Sequence, residues 1–431
     1  MIERYTRPAM GALWADPARF ASWLEVELAV CEALTERGVI PAADMAEIRE
    51  RAGFDLERIA ALDAEVGHDV IAFLTSVAEH VGPAARHVHY GLTSSDVVDT
   101  AQALRTVRAA DILLQDLSEL RAVLRQQAQA HRRTVLVGRT HGIHAEPTTL
   151  GLKFAGWYAE AGRNALRLAS ARDELRFGKI SGAVGTYAHL GPEIEAAALL
   201  RLGLAAEPVS TQVVPRDRHA MFLAVLGVLA CSLDRIATEI RHLQRSDVRE
   251  VEEPFRPGQK GSSSMPHKRN PVGCENVSGL ARVVRSQVQA ALENVVLWHE
   301  RDITHSSVER IILPDATILC DYMLARMTHI LRGLHVYPER MAQNMSITQG
   351  LVFSQAVLLA LTEAGLSREA AYEIVQRNAM RTWAGEGAFR DLLGRDPELV
   401  RVLGVRELDA CFCPERFLRH VDRIYARVFG D

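Results

Sequence analysis

Apolar residues recur along three stretches of the chain at alternating spacings of three and four. In the first they are Leu113, Leu117, Leu120 and Leu124; in the second, Phe222, Leu226, Leu229, Leu233, Ile236, Ile240 and Leu243. In the third they are Val277, Leu280, Val284, Val288, Ala291, Val295 and Trp298. That spacing puts each set on one side of an α-helix, and each pattern predicts a helix of roughly 30 residues, roughly 45 Å long. Such stripes look too long for one compact chain to cover, so side-by-side packing with other copies of the chain is expected. A free-standing coiled coil fits less well, because loops rich in Gly, Pro and His interrupt the pattern.

Outside these stretches the periodic segments are shorter. The first ~110 residues read as short helices broken at Gly38-Val39-Ile40-Pro41, Gly53, Gly67 and Gly82-Pro83. The last ~65 residues read the same way, with a loop at Trp383–Gly387. One or two short strands are expected near Thr134–Val137, and no alternation is extensive enough for a sheet domain. The expected fold is therefore all-α, divided into an N-terminal helical domain (1–110), a central long-helix bundle (111–364) and a C-terminal helical domain (365–431).

Composition narrows the class. Net charge is −4, which provides no overall basic field for nucleic acid. Cys31, Cys231, Cys274, Cys320, Cys411 and Cys413 form no Cys-x-x-Cys pair, so free thiols are expected and zinc is not. The start, MIERYTRPAM, lacks the apolar core of a signal peptide, and the apolar run Ala220–Cys231 falls short of a membrane span. A reducing cytoplasm is the expected compartment.

Candidate chemistry lies in the loops. Gly261-Ser262-Ser263-Ser264-Met265-Pro266-His267-Lys268-Arg269-Asn270-Pro271 is small, hydroxylated and cationic. Asn270 reads as the N-cap and Pro271 as the first residue of the third long helix, whose positive end would favour an anion. Tyr90-Gly91-Leu92-Thr93-Ser94-Ser95-Asp96 leads into a helical pattern over Asp99–Arg108, and Gly67-His68-Asp69 sits in a helix–helix turn. In Gly138-Arg139-Thr140-His141-Gly142-Ile143-His144-Ala145-Glu146-Pro147, Pro147 is placed to start a helix. His141 and His144 lack an acidic or Cys partner at metal-ligand spacing, so no metal is expected.

The segment Gly261–Pro271 resembles the signature loop of the fumarase/aspartase superfamily, and GLTSSD and GRTHGIHAEP resemble its other two active-site regions, in the expected order. Arg4-Tyr5 and Arg301–Arg310 resemble the nucleotide-binding segments of the superfamily's adenylosuccinate lyase family. Carboxymuconate cycloisomerases share the MPHKRNP core, so that loop alone leaves the substrate open. The resemblance implies β-elimination of fumarate from a succinylated purine-pathway nucleotide without metal or organic cofactor, in a homotetramer whose sites combine loops from several chains. It implies Ser262 as base, with Ser263 beside it, and His141 as general acid supported by Glu275. His68 assists, and Lys268 provides positive charge. Thr93, Ser94, Gln212, Ser263, Lys268 and Asn276 would hold the succinyl group and nearby polar atoms. Arg4, Tyr5, Arg301, Ser306 and Arg310 would hold phosphate and sugar, with Arg310 alternatively pairing with Ser306 or Glu309. Asp69 and His89 complete the expected binding set.

Overall fold

In the computed structural model, which describes residues 1–256 and 258–430, the chain is predominantly helical. Among the described residues, strands are confined to one antiparallel hairpin, Val135–Thr140 with Ile143–Thr149, and two pairs of two-residue strands. The all-α expectation holds.

The predicted long helices are Ser94–Ala130, Asp217–Gln244 and Val272–Glu293, of 37, 28 and 22 residues. The first begins at Ser94 and joins the Leu113–Leu124 stripe and the separately expected pattern over Asp99–Arg108 into one helix. The third stops at Glu293, leaving Val295 and Trp298 beyond it and exposed. Two further long helices, Leu150–Glu174 and Thr304–Arg332, carry weaker signals in sequence. The inward side of Leu150–Glu174 includes Ala155, Ala161 and Ala171, and small residues blur an apolar stripe. Thr304–Arg332 runs through Pro314, which reads as a break because it lacks an N–H donor.

One expectation is corrected. Leu113, Leu117, Leu120 and Leu124, and all seven apolar positions of the second stripe, are buried within the single chain. Each such side chain contributes on the order of 1.5–3 kcal/mol by leaving water. These stripes therefore do not call for a partner; the exposed apolar residues of these helices are others, including Met221, Val228, Val283 and Leu292. The helix Asp217–Gln244 is also long and apolar enough to cross a membrane by length and composition, although 61% of its most apolar stretch is buried inside the protein. The run Ala220–Cys231 understated it, because a helix spreads its apolar residues beyond any uninterrupted run.

The chain falls into two compact units. One comprises residues 1–119, 163–234 and 276–326. Its core includes Phe20 stacked on Phe73 at 5.7 Å, with Trp23 edge-on to both. The predicted breaks hold here. Gly67 and Gly82 adopt positive φ at the ends of Leu56–Val66 and Asp69–Val81, where a side chain would be strained.

The other unit comprises residues 120–162, 235–275 and 327–431. Helices Ser354–Glu363 and Arg368–Trp383 pack around Leu361, Ile374 and Phe389, and the predicted loop follows Trp383. Its hairpin extends beyond the expected Thr134–Val137. Pro147 pairs with Val137 inside the second strand and does not start a helix, which begins at Leu150. Directly after that strand, Gly151 lies so close to other backbone that a Cβ would meet Ala128 O and His131 O at 2.7 Å, with the Tyr425 hydroxyl also in the way. Gly151→Ala should therefore destabilise the protein by about 1–3 kcal/mol through overpacking. Urea unfolding measures this, and an unchanged midpoint would show that the backbone yields freely there.

Candidate active site

The expected site residues fall into two sets, one in each unit. In the first unit, His68, Asp69, Thr93, Ser94, Gln212, Arg301, Ser306 and Arg310 line one cavity of about 520 Å³. They converge because helix starts meet there. His68 is the N-cap of Asp69–Val81, and its Nδ1 accepts the Ile71 N–H at 3.4 Å. That bond places the proton of the neutral ring on Nε2. Thr93 precedes Ser94–Ala130, and the Asp96 carboxylate accepts the Thr93 N–H at 2.8 Å, the reciprocal half of a capping box. Asp96 is itself fixed by Lys179, both side chains being fully buried.

Arg301 Nη1 donates to Gln212 Oε1 at 3.0 Å. Arg310 pairs with Asp69 at 2.7 Å rather than with Ser306 or Glu309. Glu309 is turned inward, 4% exposed, and held by Gln102, His305 and Arg216. Burial works against its charge, but Arg216 and the His305 hydrogen bond outweigh this and keep its carboxyl well below the usual range. Arg301, by contrast, is lowered from its ordinary value by burial, with Arg216 adding to the effect.

Elsewhere in this unit, the Asn276 amide donates to the Tyr5 hydroxyl at 3.3 Å, and Arg4 is exposed beside it in sequence. His89 does not line the cavity. It has a φ of 63°, and buried Glu27 accepts both its backbone N–H (2.9 Å) and its Nδ1 proton (2.6 Å).

In the second unit, His141 stands at the exposed tip of the hairpin. Thr140 pairs with Ile143, so His141 and Gly142 are the two turn residues, with φ of 54° and 77°. Positive φ at both positions is the type I′ turn, one of the two whose twist matches that of the strands. Gly adopts it freely, whereas His141 bears a strain of about 1 kcal/mol. Arg139, two residues earlier, is anchored to the fully buried Glu250 by bonds of 2.7 and 3.0 Å.

The signature loop closes on itself. The Asn270 amide donates to Gly261 O at 3.2 Å, and Ser262 Oγ accepts the N–H groups of Met265 (3.1 Å) and Ser264 (3.3 Å). Ser263 is exposed next to it. Lys268 and Glu275 line a second cavity, of about 1140 Å³, with Arg245 and Arg249. Those two arginines escaped the sequence reading because no short motif carries them.

The helix after the loop departs from expectation. It begins at Val272, and Pro271 O accepts the Glu275 N–H, so Pro271 and not Asn270 takes the cap position. Its free N–H groups are already satisfied: Glu253 accepts from Gly273 at 3.0 Å and Cys274 at 2.6 Å. The helix start expected to hold a substrate anion is filled by the protein's own carboxylate. Among the described residues, no group of three or more His, Cys, Asp or Glu is placed to hold a metal ion.

Residues 3–286 match the lyase family model, and residues 350–428 match the model of the adenylosuccinate lyase C-terminus. The chain is 54% identical over 429 residues to the adenylosuccinate lyase of Synechocystis sp., covering 99% of this chain and 100% of that one. It is 51% identical to the adenylosuccinate lyases of Thermotoga maritima and Bacillus subtilis, over 99% of each chain in both cases. The chain belongs to the adenylosuccinate lyase family. Its fold is shared more widely. It superposes on a fumarate lyase from Mesorhizobium sp. BNC1 with a TM-score of 0.92 at 26% identity, covering 100% of this chain and 99% of that one. A 3-carboxy-cis,cis-muconate lactonizing enzyme from Pseudomonas putida gives a TM-score of 0.90 at 32% identity, covering 99% and 97%. Architecture therefore leaves the reaction open, while full-length identity places the chain among the adenylosuccinate lyases.

The Glu253 cap is testable. Glu253→Ala should cost about 1–2 kcal/mol of stability, the usual effect of removing a carboxylate cap. Urea denaturation reads this, and a midpoint equal to the wild type would mean that water caps the helix equally well.

Proposed function

We propose that this enzyme eliminates fumarate from adenylosuccinate, giving AMP, and from succinyl-aminoimidazole carboxamide ribotide, giving the corresponding amine. The observation that carries this reading is the convergence of His68, Thr93, Ser94, Gln212, Arg301, Ser306 and Arg310 on one cavity, in a chain 54% identical to an adenylosuccinate lyase. The rival reading is another lyase or cycloisomerase of the same superfamily. Incubation with adenylosuccinate separates the two: release of fumarate supports the proposal, and its absence refutes it.

The chemistry follows from the substrate. Anti elimination to the trans product needs a base and an acid on opposite faces, carried by different segments. Removing a proton beside a carboxylate builds up negative charge that fixed donors and cations must stabilise. Ser262 is the proposed base. The two N–H groups converging on its Oγ favour an ionised oxygen there, as does Lys268 in the same loop. With the helix start already occupied by Glu253, Lys268 is the loop's main positive charge toward substrate, since Arg269 is paired with Glu252. His141 is the proposed acid for the leaving nitrogen, supported by Glu275, and His68 assists through its Nε2–H. Thr93, Ser94, Gln212, Ser263 and Asn276 bind the succinyl group, and Arg4, Tyr5, Arg301, Ser306 and Arg310 the nucleotide. Asp69 holds Arg310 in place, and Glu27 orients His89.

Ser262→Ala and His141→Ala should each lower turnover by roughly 10²–10⁴-fold, the usual cost of losing a general base or acid. Near-normal turnover in either variant, with an unchanged circular dichroism spectrum, would remove that residue from the mechanism.

A cytoplasmic homotetramer with shared sites is also part of this reading. Its support is the exposed apolar set Met221, Val228, Val283 and Leu292 on long helices, together with the loop resemblance. Mixing inactive His141→Ala and Lys268→Ala proteins under subunit exchange should restore activity, because about a quarter of sites in a randomly assembled closed oligomer would draw both intact residues. Verified exchange with no recovery would mean that both residues come from one chain.

A further inference from the structure

Two residues of the segment Arg301–Arg310, His305 and Glu309, have no part in the reading above. Ser306 and Arg310 face the cavity, whereas His305 and Glu309 are each 4% exposed. Residues four apart share a helix face, so this helix start presents one pair to the cavity and the other to the interior.

The interior pair belongs to a buried charged cluster. Arg216 grips Asp99 through two bonds, of 2.6 and 2.8 Å, and its Nε lies 3.1 Å from Glu309 Oε1. Gln102 donates to Glu309 Oε2 at 2.9 Å. His305 Nδ1 is 3.2 Å from that same Oε2, and His305 Nε2 is 3.2 Å from Arg301 Nε. Buried ion pairs rarely stabilise more than apolar packing of equal volume, so such a cluster points to a need for fixed geometry.

The shorter contacts set the hydrogen-bond polarity. A guanidinium can only donate, so His305 Nε2 must accept from Arg301, which places the ring proton on Nδ1. Glu309 Oε2, a pure acceptor, receives that proton. Arg216 also faces Nδ1, with Nη2 at 3.2 Å and Nε at 3.4 Å, but each has a nearer carboxylate oxygen, Asp99 Oδ1 at 2.6 Å and Glu309 Oε1 at 3.1 Å. Gln212 accepts from the other side of Arg301, so the guanidinium is held at two points.

We propose that His305 is a positioning residue for the elimination: with its proton directed to Glu309, it accepts the Arg301 Nε–H and fixes that guanidinium to receive an anionic group of the substrate. The proposal rests on the functional reading above, in which Arg301 binds substrate.

The test compares KM and kcat for fumarate release from adenylosuccinate. His305→Leu removes the acceptor and should raise KM roughly tenfold or more, the usual effect of losing a hydrogen bond to a charged group, while kcat changes much less. Gln carries a polar atom out to the Nε2 position and should recover most of the loss. Asn reaches only the Nδ1 position and should not. In an Arg301→Ala background, His305→Leu should add little, because its effect passes through Arg301. Multiplicative losses, or Asn equal to Gln, would overturn the proposal. The Gln–Asn comparison decides the matter even if the Leu variant does not fold. A wild type that releases no fumarate would instead overturn the functional reading, an outcome distinct from either.

Discussion

Every helix start leaves backbone N–H groups without intrahelical partners, and this chain meets that requirement at the places where its chemistry is arranged. His68 caps Asp69–Val81, Asp96 answers Thr93 at the start of Ser94–Ala130, and Glu253 closes Val272–Glu293. At Thr304–Arg332 the Asp302 carboxylate accepts the Thr304 N–H at 2.8 Å. It also takes the Thr304 hydroxyl and the Trp298 N–H, and these donors hold its pKa down to about 2. Where the cap is a histidine, the same bond sets the tautomer of a candidate catalytic ring. Where it is a carboxylate, the helix dipole is spent on the fold and is not available to substrate.

Beneath the capped ends lie buried ion pairs. In one unit Lys179–Asp96 underlies Thr93 and Ser94, while Arg216–Asp99 underlies Arg301 through His305. In the other, Arg139–Glu250 anchors the hairpin that carries His141, with Asn344 also donating to Glu250 at 2.8 Å. Taking these charges out of water costs several kcal/mol per ion. What is gained is direction, because an ion pair with two fixed bonds holds its loop more narrowly than apolar contact does. Strain accompanies this: His141 adopts positive φ two residues beyond the anchored Arg139, and His89 does so where Glu27 holds it.

Much of this was legible in the sequence. The regular stripes of Leu113–Leu124 and Phe222–Leu243 predicted long helices because the 3.6-residue period leaves a direct mark on apolar spacing. Gly67 and Gly82 marked breaks because only Gly takes positive φ without strain. The loops bearing His68, Thr93, His141, Ser262 and Arg301 stood out as dense runs of polar residues in motif order. Less visible were Leu150–Glu174, whose inward face uses small residues, and Thr304–Arg332, which continues through Pro314.

The sequence by itself determined the class of the protein: helix periods, loop chemistry and motif order are local properties, each written within a few neighbouring residues. Tertiary structure alone decided which partners those residues take. Arg310 meets Asp69, 241 positions away, Glu253 reaches a helix start 20 residues on, and Arg301 is held through a histidine resting on Arg216 and Asp99. The burial of the long stripes within one chain is of the same kind. Hydrogen bonds and packing act over a few ångströms in space, while local pattern reports only on a few residues in sequence, so distant partners become visible only once the chain has folded.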